Sequence, residues 1–157
     1  MIGDIILQRR SGIVGYFVSL FTRSEWVHVG IEVADGYIRH VDWRGKRVAH
    51  IKDWEPNILV LTPKTPLTPE QQIMLRRYGL CVAVRGYDFW SAVQSWFWKN
   101  PNDEQDAGKR FQCAEFVSAV YRGALGIDLV PNKSDSATQP QDFLLSPFLV
   151  CEVQLDK

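Results

Sequence analysis

The run Trp26-Val27-His28-Val29-Gly30-Ile31-Glu32-Val33 constrains this chain most, because with the next segment it sets two histidines on one hairpin. Val27, Val29, Ile31 and Val33 alternate with the other residues, the period-2 pattern of a strand with one apolar face. His28 falls on the opposite face, with Trp26 and Gly30. Asp35-Gly36 is the dipeptide of a tight hairpin turn, and Tyr37-Ile38-Arg39-His40-Val41-Asp42-Trp43 supplies the return strand. The pattern predicts an antiparallel hairpin in which His28 and His40, twelve residues apart, lie side by side on one face.

Around this hairpin the chain is predicted to place strands first and helices later. Asp4 to Leu7 is a short apolar strand, and Ile13, Phe17, Leu20 and Phe21 share one face of a short helix. A turn at Arg44-Gly45-Lys46 leads to Arg47-Val48-Ala49-His50-Ile51, and Ile58-Leu59-Val60-Leu61 completes an antiparallel meander. Beyond a Pro/Thr linker, Thr68-Pro69-Glu70-Gln71 is a capping box with proline at the first helical position. The helix it opens runs through Ile73, Met74, Arg77 and Leu80 to about Ala83. A second helix, from Tyr87 to about Lys99, has the stripe Phe89, Val93, Trp96 and Phe97, with Trp90 and Trp98 off it. Asn100 to Lys109 is a polar loop. Lys133 to Gln139 reads as a flexible loop, Gln141 to Leu145 as a helical turn, and Phe148 to Val153 as a last strand. Strands followed by helices imply an α+β fold, a small antiparallel sheet packed against helices. The 157 residues suit one domain, 1–157.

In Phe111-Gln112-Cys113-Ala114-Glu115-Phe116-Val117-Ser118-Ala119-Val120-Tyr121 the apolar residues Phe116, Val117, Val120, Tyr121 and Ala124 recur at helical spacing. Cys113 falls in the first turn, where unpaired backbone N–H groups and the positive end of the dipole favour a thiolate. Glu115 in the same turn is accounted for by the dipole alone. Cys81 and Cys151 read as core residues. Three widely separated cysteines, with no CxxC, argue against a disulfide framework and structural zinc, and point to a reducing compartment.

Composition narrows the function. Lys plus Arg and Asp plus Glu both number 18, so no charge excess points to nucleic acid. Met1-Ile2-Gly3-Asp4 lacks the layout of a secretory signal, and no apolar run reaches the roughly 18 residues of a bilayer span. The cytoplasm is the expected compartment. No nucleotide motif or metal cluster is present, so no cofactor is expected.

What remains is a cysteine, an imidazole to take its proton and a group to orient that imidazole, the parts of thiol-based acyl transfer. Here the sequence resembles the circularly permuted branch of the NlpC/P60 superfamily of papain-like cysteine hydrolases, the branch with the YiiX-like and lecithin:retinol acyltransferase-like proteins. Gly3-Asp4-Ile5-Ile6-Leu7 is similar to the family's first strand, and Ser24-Glu25-Trp26-Val27-His28-Val29-Gly30-Ile31 to its histidine strand. Arg85-Gly86-Tyr87-Asp88-Phe89 resembles the segment before its aromatic helix, and Phe111-Gln112-Cys113-Ala114-Glu115-Phe116-Val117 its cysteine motif. The resemblance implies a papain-like fold with Cys113 as nucleophile, His28 as general base and His40 as the third, orienting group. Glu32 and Asp42 are rivals for that third place, since many YiiX-like members carry a carboxylate there. Tyr87 matches a tyrosine near the catalytic cysteine, placed to help stabilise an oxyanion. The activity implied is hydrolysis, through a thioester, of peptide, isopeptide or peptidoglycan-type amide bonds. The alternatives are a lipid acyl hydrolase or acyltransferase, to which exposed tryptophans would be suited, and a binding module that keeps the cleft without turnover. The partner is then a peptide-, peptidoglycan- or acyl-bearing substrate.

Overall fold

The structure, a computed structural model, describes residues 1–9, 24–42, 45–81 and 113–152. Six strands form one sheet: β1 (Ile5–Arg9), β2 (Trp26–Ala34), β3 (Tyr37–Asp42), β4 (Gly45–His50), β5 (Ile58–Pro63) and β6 (Leu149–Glu152). Among the described residues two α-helices accompany it, α1 (Pro69–Cys81) and α2 (Cys113–Leu125). The class is therefore α+β. The expected helices over 13–21 and 87–99 lie outside the described residues, as do Trp43, Tyr87, Trp90 and Trp98.

The sheet is antiparallel throughout, in the order β4-β3-β2-β1-β5-β6. This corrects the simple meander: β5 pairs with β1, not with β4. The reason lies in β1 itself. Ile5, Ile6 and Leu7 have no exposed surface, and a strand apolar on both faces belongs inside a sheet, with a neighbour on each side. Alternation along β1 then divides the core in two. Ile5 and Leu7 join Val29, Ile31, Val33, Val41 and Leu61 against α2, whereas Ile6 joins Ile38, Val60 and Trp54 on the other face.

The cysteine helix forms where the stripe places it. Phe116, Val117, Val120, Tyr121 and Ala124 are all buried against the first face. Burying a side chain such as Phe116 contributes about 1.5–3 kcal/mol. The Tyr121 hydroxyl donates to the Gly3 carbonyl, tying α2 to the start of β1. Gly126, at φ +68°, ends the helix by donating its N–H to the Arg122 carbonyl at 2.9 Å. Helix α1 opens on the capping box: the Thr68 N–H donates to Gln71 Oε1 at 2.9 Å, and the Gln71 N–H to Thr68 Oγ1 at 3.3 Å.

In α1, Leu75 and Gly79 are inside, while Ile73, Met74 and Leu80 are exposed. A Cβ on Gly79 would lie in ordinary contact, 3.7 Å from Val120 and 3.8 Å from Val33, so this position has room for alanine. The two spare cysteines are corrected from core to exposed positions. Cys81 lies seven residues after Met74, on the same outward side of α1, and Cys151 is on the outermost strand. The stretch 133–139 is pinned rather than loose, with a 3₁₀ turn at Asp135–Ala137 and Lys133 Nζ donating to Asp142 Oδ1 at 2.8 Å.

Candidate active site

Strands β2 and β3 bring the two histidines together. Gly30 faces His40 directly, so His28 is His40's diagonal neighbour on the same face, within reach for aromatic side chains. Gly30 leaves the space this needs. A Cβ there would stand 2.3 Å from Ile38 Cγ2 and 3.2 Å from His40 Cβ. The outcome is a hydrogen bond between His28 Nε2 and His40 Nδ1 at 2.9 Å, with the rings perpendicular and their centroids 5.0 Å apart.

Sequence reasoning missed one residue. Trp54 ends a 3₁₀ turn (Ile51–Asp53) after β4, and its ring lies 5.0 Å from that of His28 and 5.1 Å from that of His40. The signal available was a lone aromatic in the polar run Lys52-Asp53-Trp54-Glu55, after a histidine with an acid three residues on.

Cys113 is the first residue of α2 and packs, half-buried, against the opposite, helix-side core. The sheet divides near this point. Pairing of β2 with β1 continues to Trp26, whereas its pairing with β3 stops at Gly30 and His40. The Glu32 N–H and carbonyl both point to β1. By alternation those of Val29 point toward β3, where the Gly30–His40 pair engages its carbonyl and leaves its N–H past the end of the ladder. The Val29 N–H is instead directed at the Cys113 sulfur, as are the N–H groups of Cys113 and Ala114. The residue next to His28 thus faces the thiol with its N–H.

A bulge at this point changes the expected alternation. Gln8 pairs with His28 and Arg9 with Trp26, leaving Val27 as the extra residue. Trp26 therefore turns into the helix-side core instead of sharing the face of His28.

Electrostatics also differ from the expectation at Cys113. The three N–H groups do favour the thiolate, but burial outweighs them and pushes the thiol up to about 11. Burial, with the neighbouring His40 second, pushes His28 down to about 3. His40 is lowered too, by burial first; Asp42 acts against this, while Arg47 and Arg39 reinforce it. At neutral pH the site holds a neutral thiol and neutral imidazoles.

The two carboxylates separate clearly. Asp42 closes β3 two residues after His40, on its face, and lies 4.0 Å from Arg47 Nε. Glu32 is buried at the other end of the face, where Oε2 meets the Met1 α-ammonium at 2.7 Å and Oε1 accepts the Gly36 N–H at 3.0 Å. Tyr87 is outside the described residues. Among the described residues no group of three or more His, Cys, Asp and Glu is placed to hold a metal, and no helix is long and apolar enough to cross a membrane.

This fold is similar to that of YiiX. The crystal structure of that Escherichia coli O157:H7 protein, described as a metalloprotein, matches with a TM-score of 0.69 over 97% of this chain and 96% of its own, at 19% identity. At that identity the likeness to YiiX is one of fold. No family model matches the sequence, and no curated protein does.

Proposed function

We propose that residues 1–157 form a cysteine hydrolase that cleaves amide bonds of peptide, isopeptide or peptidoglycan type through a thioester on Cys113. The observation that carries this reading is the His28–His40 hydrogen bond, on a strand packed by the helix that begins at Cys113. The YiiX-like fold agrees with it.

The 2.9 Å contact suggests the protonation states. For His28 Nδ1 to accept a proton, its Nε2 must carry the hydrogen and donate it to His40 Nδ1, leaving the His40 hydrogen on Nε2. As Cys113 Sγ bonds to the scissile carbonyl carbon, the thiol proton passes to His28 Nδ1. The new imidazolium keeps its Nε2–H on neutral His40, which Asp42 makes a better acceptor. Backbone N–H groups at the start of α2 hold the oxyanion. Collapse breaks the C–N bond, and the amine leaves with the Nδ1 proton. Water, deprotonated by His28, then cleaves the thioester and releases the acid and the thiol.

YiiX is described as a metalloprotein, but a metal does not fit the histidine pair here. Each ring already spends a nitrogen on the other, and no third ligand stands with them among the described residues. The proposed mechanism therefore uses none.

The test is turnover of fluorogenic amide, isopeptide and muropeptide substrates by the purified chain. Cys113→Ala is expected to abolish it with an unchanged melting temperature, and mass spectrometry to find an acyl adduct on Cys113. His40→Ala should lower kcat/KM about 100-fold, Asp42→Ala less, and Glu32→Ala least. Turnover surviving in Cys113→Ala would refute the reading. A larger loss in Asp42→Ala than in His40→Ala would move the orienting role to the carboxylate.

A further inference from the structure

The proposed chemistry needs His28 and His40 to stay aligned, yet their single hydrogen bond does not fix the ring planes. Each imidazole rotates about χ2 at small cost, and water entering between them would offer both nitrogens other partners. Trp54 is placed to oppose both effects. Its indole packs tilted at 45° to His28 and nearly perpendicular, at 76°, to His40, with only 6% of the residue exposed. Its own place is fixed from two sides. The turn that carries it is closed by a reciprocal cap: the Lys52 N–H donates to His50 Nδ1 at 3.2 Å, and the His50 N–H to Asp53 Oδ2 at 3.1 Å. The Trp54 N–H donates to the Ile51 carbonyl at 3.0 Å, and its ring packs with Ile6, Ile38 and Val60 from three different strands.

Resting on the hydrolase reading above, we propose that Trp54 is the positioning residue of the site: its indole, against both imidazoles, keeps the His28–His40 hydrogen bond aligned and dry. It touches neither substrate nor the sulfur in this role and acts through the histidines. The charged groups felt by the pair are Asp42, Arg47 and Arg39, all through His40. The side of His28 that Trp54 covers is apolar, and covering it disfavours the charged ring.

The experiment is imidazole nitrogen NMR on the substrate-free protein, with Trp54→Phe and Trp54→Leu compared with wild type. In wild type, nuclear Overhauser contacts from the indole to both imidazoles are expected, with His28 in one tautomer and no titration down to about pH 5. Trp54→Leu, which fills space without a ring face, should mix the tautomers and let His28 titrate above about pH 5. Trp54→Phe should restore the wild-type pattern. A folded Trp54→Leu protein with unchanged nitrogen shifts and titration would overturn the proposal, as would missing indole–imidazole contacts in wild type. Because no substrate is present, a wild-type enzyme without turnover would count against the hydrolase and leave this result standing. Turnover with an unmoved His28 in Trp54→Leu would do the reverse.

Discussion

Burying an uncharged histidine ties the stability of this fold to pH. His28 binds its proton with a midpoint near 3 when folded, against the ordinary 6.5 of a free imidazole. Between these values the unfolded chain takes up a proton that the folded chain refuses, so stability is intact above about pH 6.5 and falls as the pH drops toward 3. At pH 5 the deficit spans 1.5 pH units below the free imidazole value, or about 2 kcal/mol at 1.36 kcal/mol per unit. That is a large share of the 5–15 kcal/mol by which a typical domain is stable.

Other groups titrate in the same interval. His40 is lowered and acts in the same direction, while Asp4 and Asp135, both raised by burial, act in the opposite one. Comparing wild type with His28→Gln at pH 7 and pH 5 removes the contributions of Asp4 and Asp135, and repeating the pair in a His40→Gln background removes that of His40, which interacts with His28. The cost of the lost ring contact cancels as well. With a urea m-value of about 2 kcal/mol/M, the wild-type midpoint should fall about 1 M further than that of the variant between the two pH values. Parallel losses, within about 0.5 kcal/mol of each other, would refute the claim that His28 is held neutral by its surroundings.

Two further perturbations probe the same region. Iodoacetamide should modify Cys113 slowly at pH 7, with a rate that climbs toward its thiol midpoint of about 11, while exposed Cys81 and Cys151 react first; rapid labelling of Cys113 at neutral pH, mapped by mass spectrometry, would show that the helix start outweighs burial after all. Gly30→Ala should cost about 1–3 kcal/mol in a denaturant melt, because the new methyl stands 2.3 Å from Ile38 Cγ2 and 3.0 Å from the Arg39 carbonyl. The same methyl should also separate the imidazole pair; an unaltered melt and unaltered histidine shifts would show that β3 yields freely.

Much of this arrangement was legible because it is local. Asp35-Gly36 and the alternation on either side placed His28 and His40 on one face, and the spacing from Phe116 to Ala124 placed α2 on the core. The capping hydrogen bonds of Thr68 and Gln71 join residues three apart. What was not legible depends on pairing between distant segments. The period of β1 shows that both its faces are apolar, but not that β5 will take its free side. The Val27 bulge exists only as a mismatch of count between β1 and β2, so no window on β2 alone reveals it, and Trp26 was placed on the wrong face. At Cys113 the dipole is a property of the helix, whereas burial is a property of everything packed around it; the second is larger and has no local signature.

The same reasoning explains where the candidate site sits. A continuous sheet would keep the histidine face and the helix face apart, because every N–H between β2 and β3 would be spent on the ladder. The ladder stops at Gly30 and His40 while β2 continues along β1 to Trp26. At that point the Val29 carbonyl still holds the sheet while its N–H faces the Cys113 sulfur. In the proposed enzyme this fork is where an imidazole anchored on one face and a thiol delivered from the other would meet across a single strand. Trp54 secures the first arrangement and the opening of α2 the second.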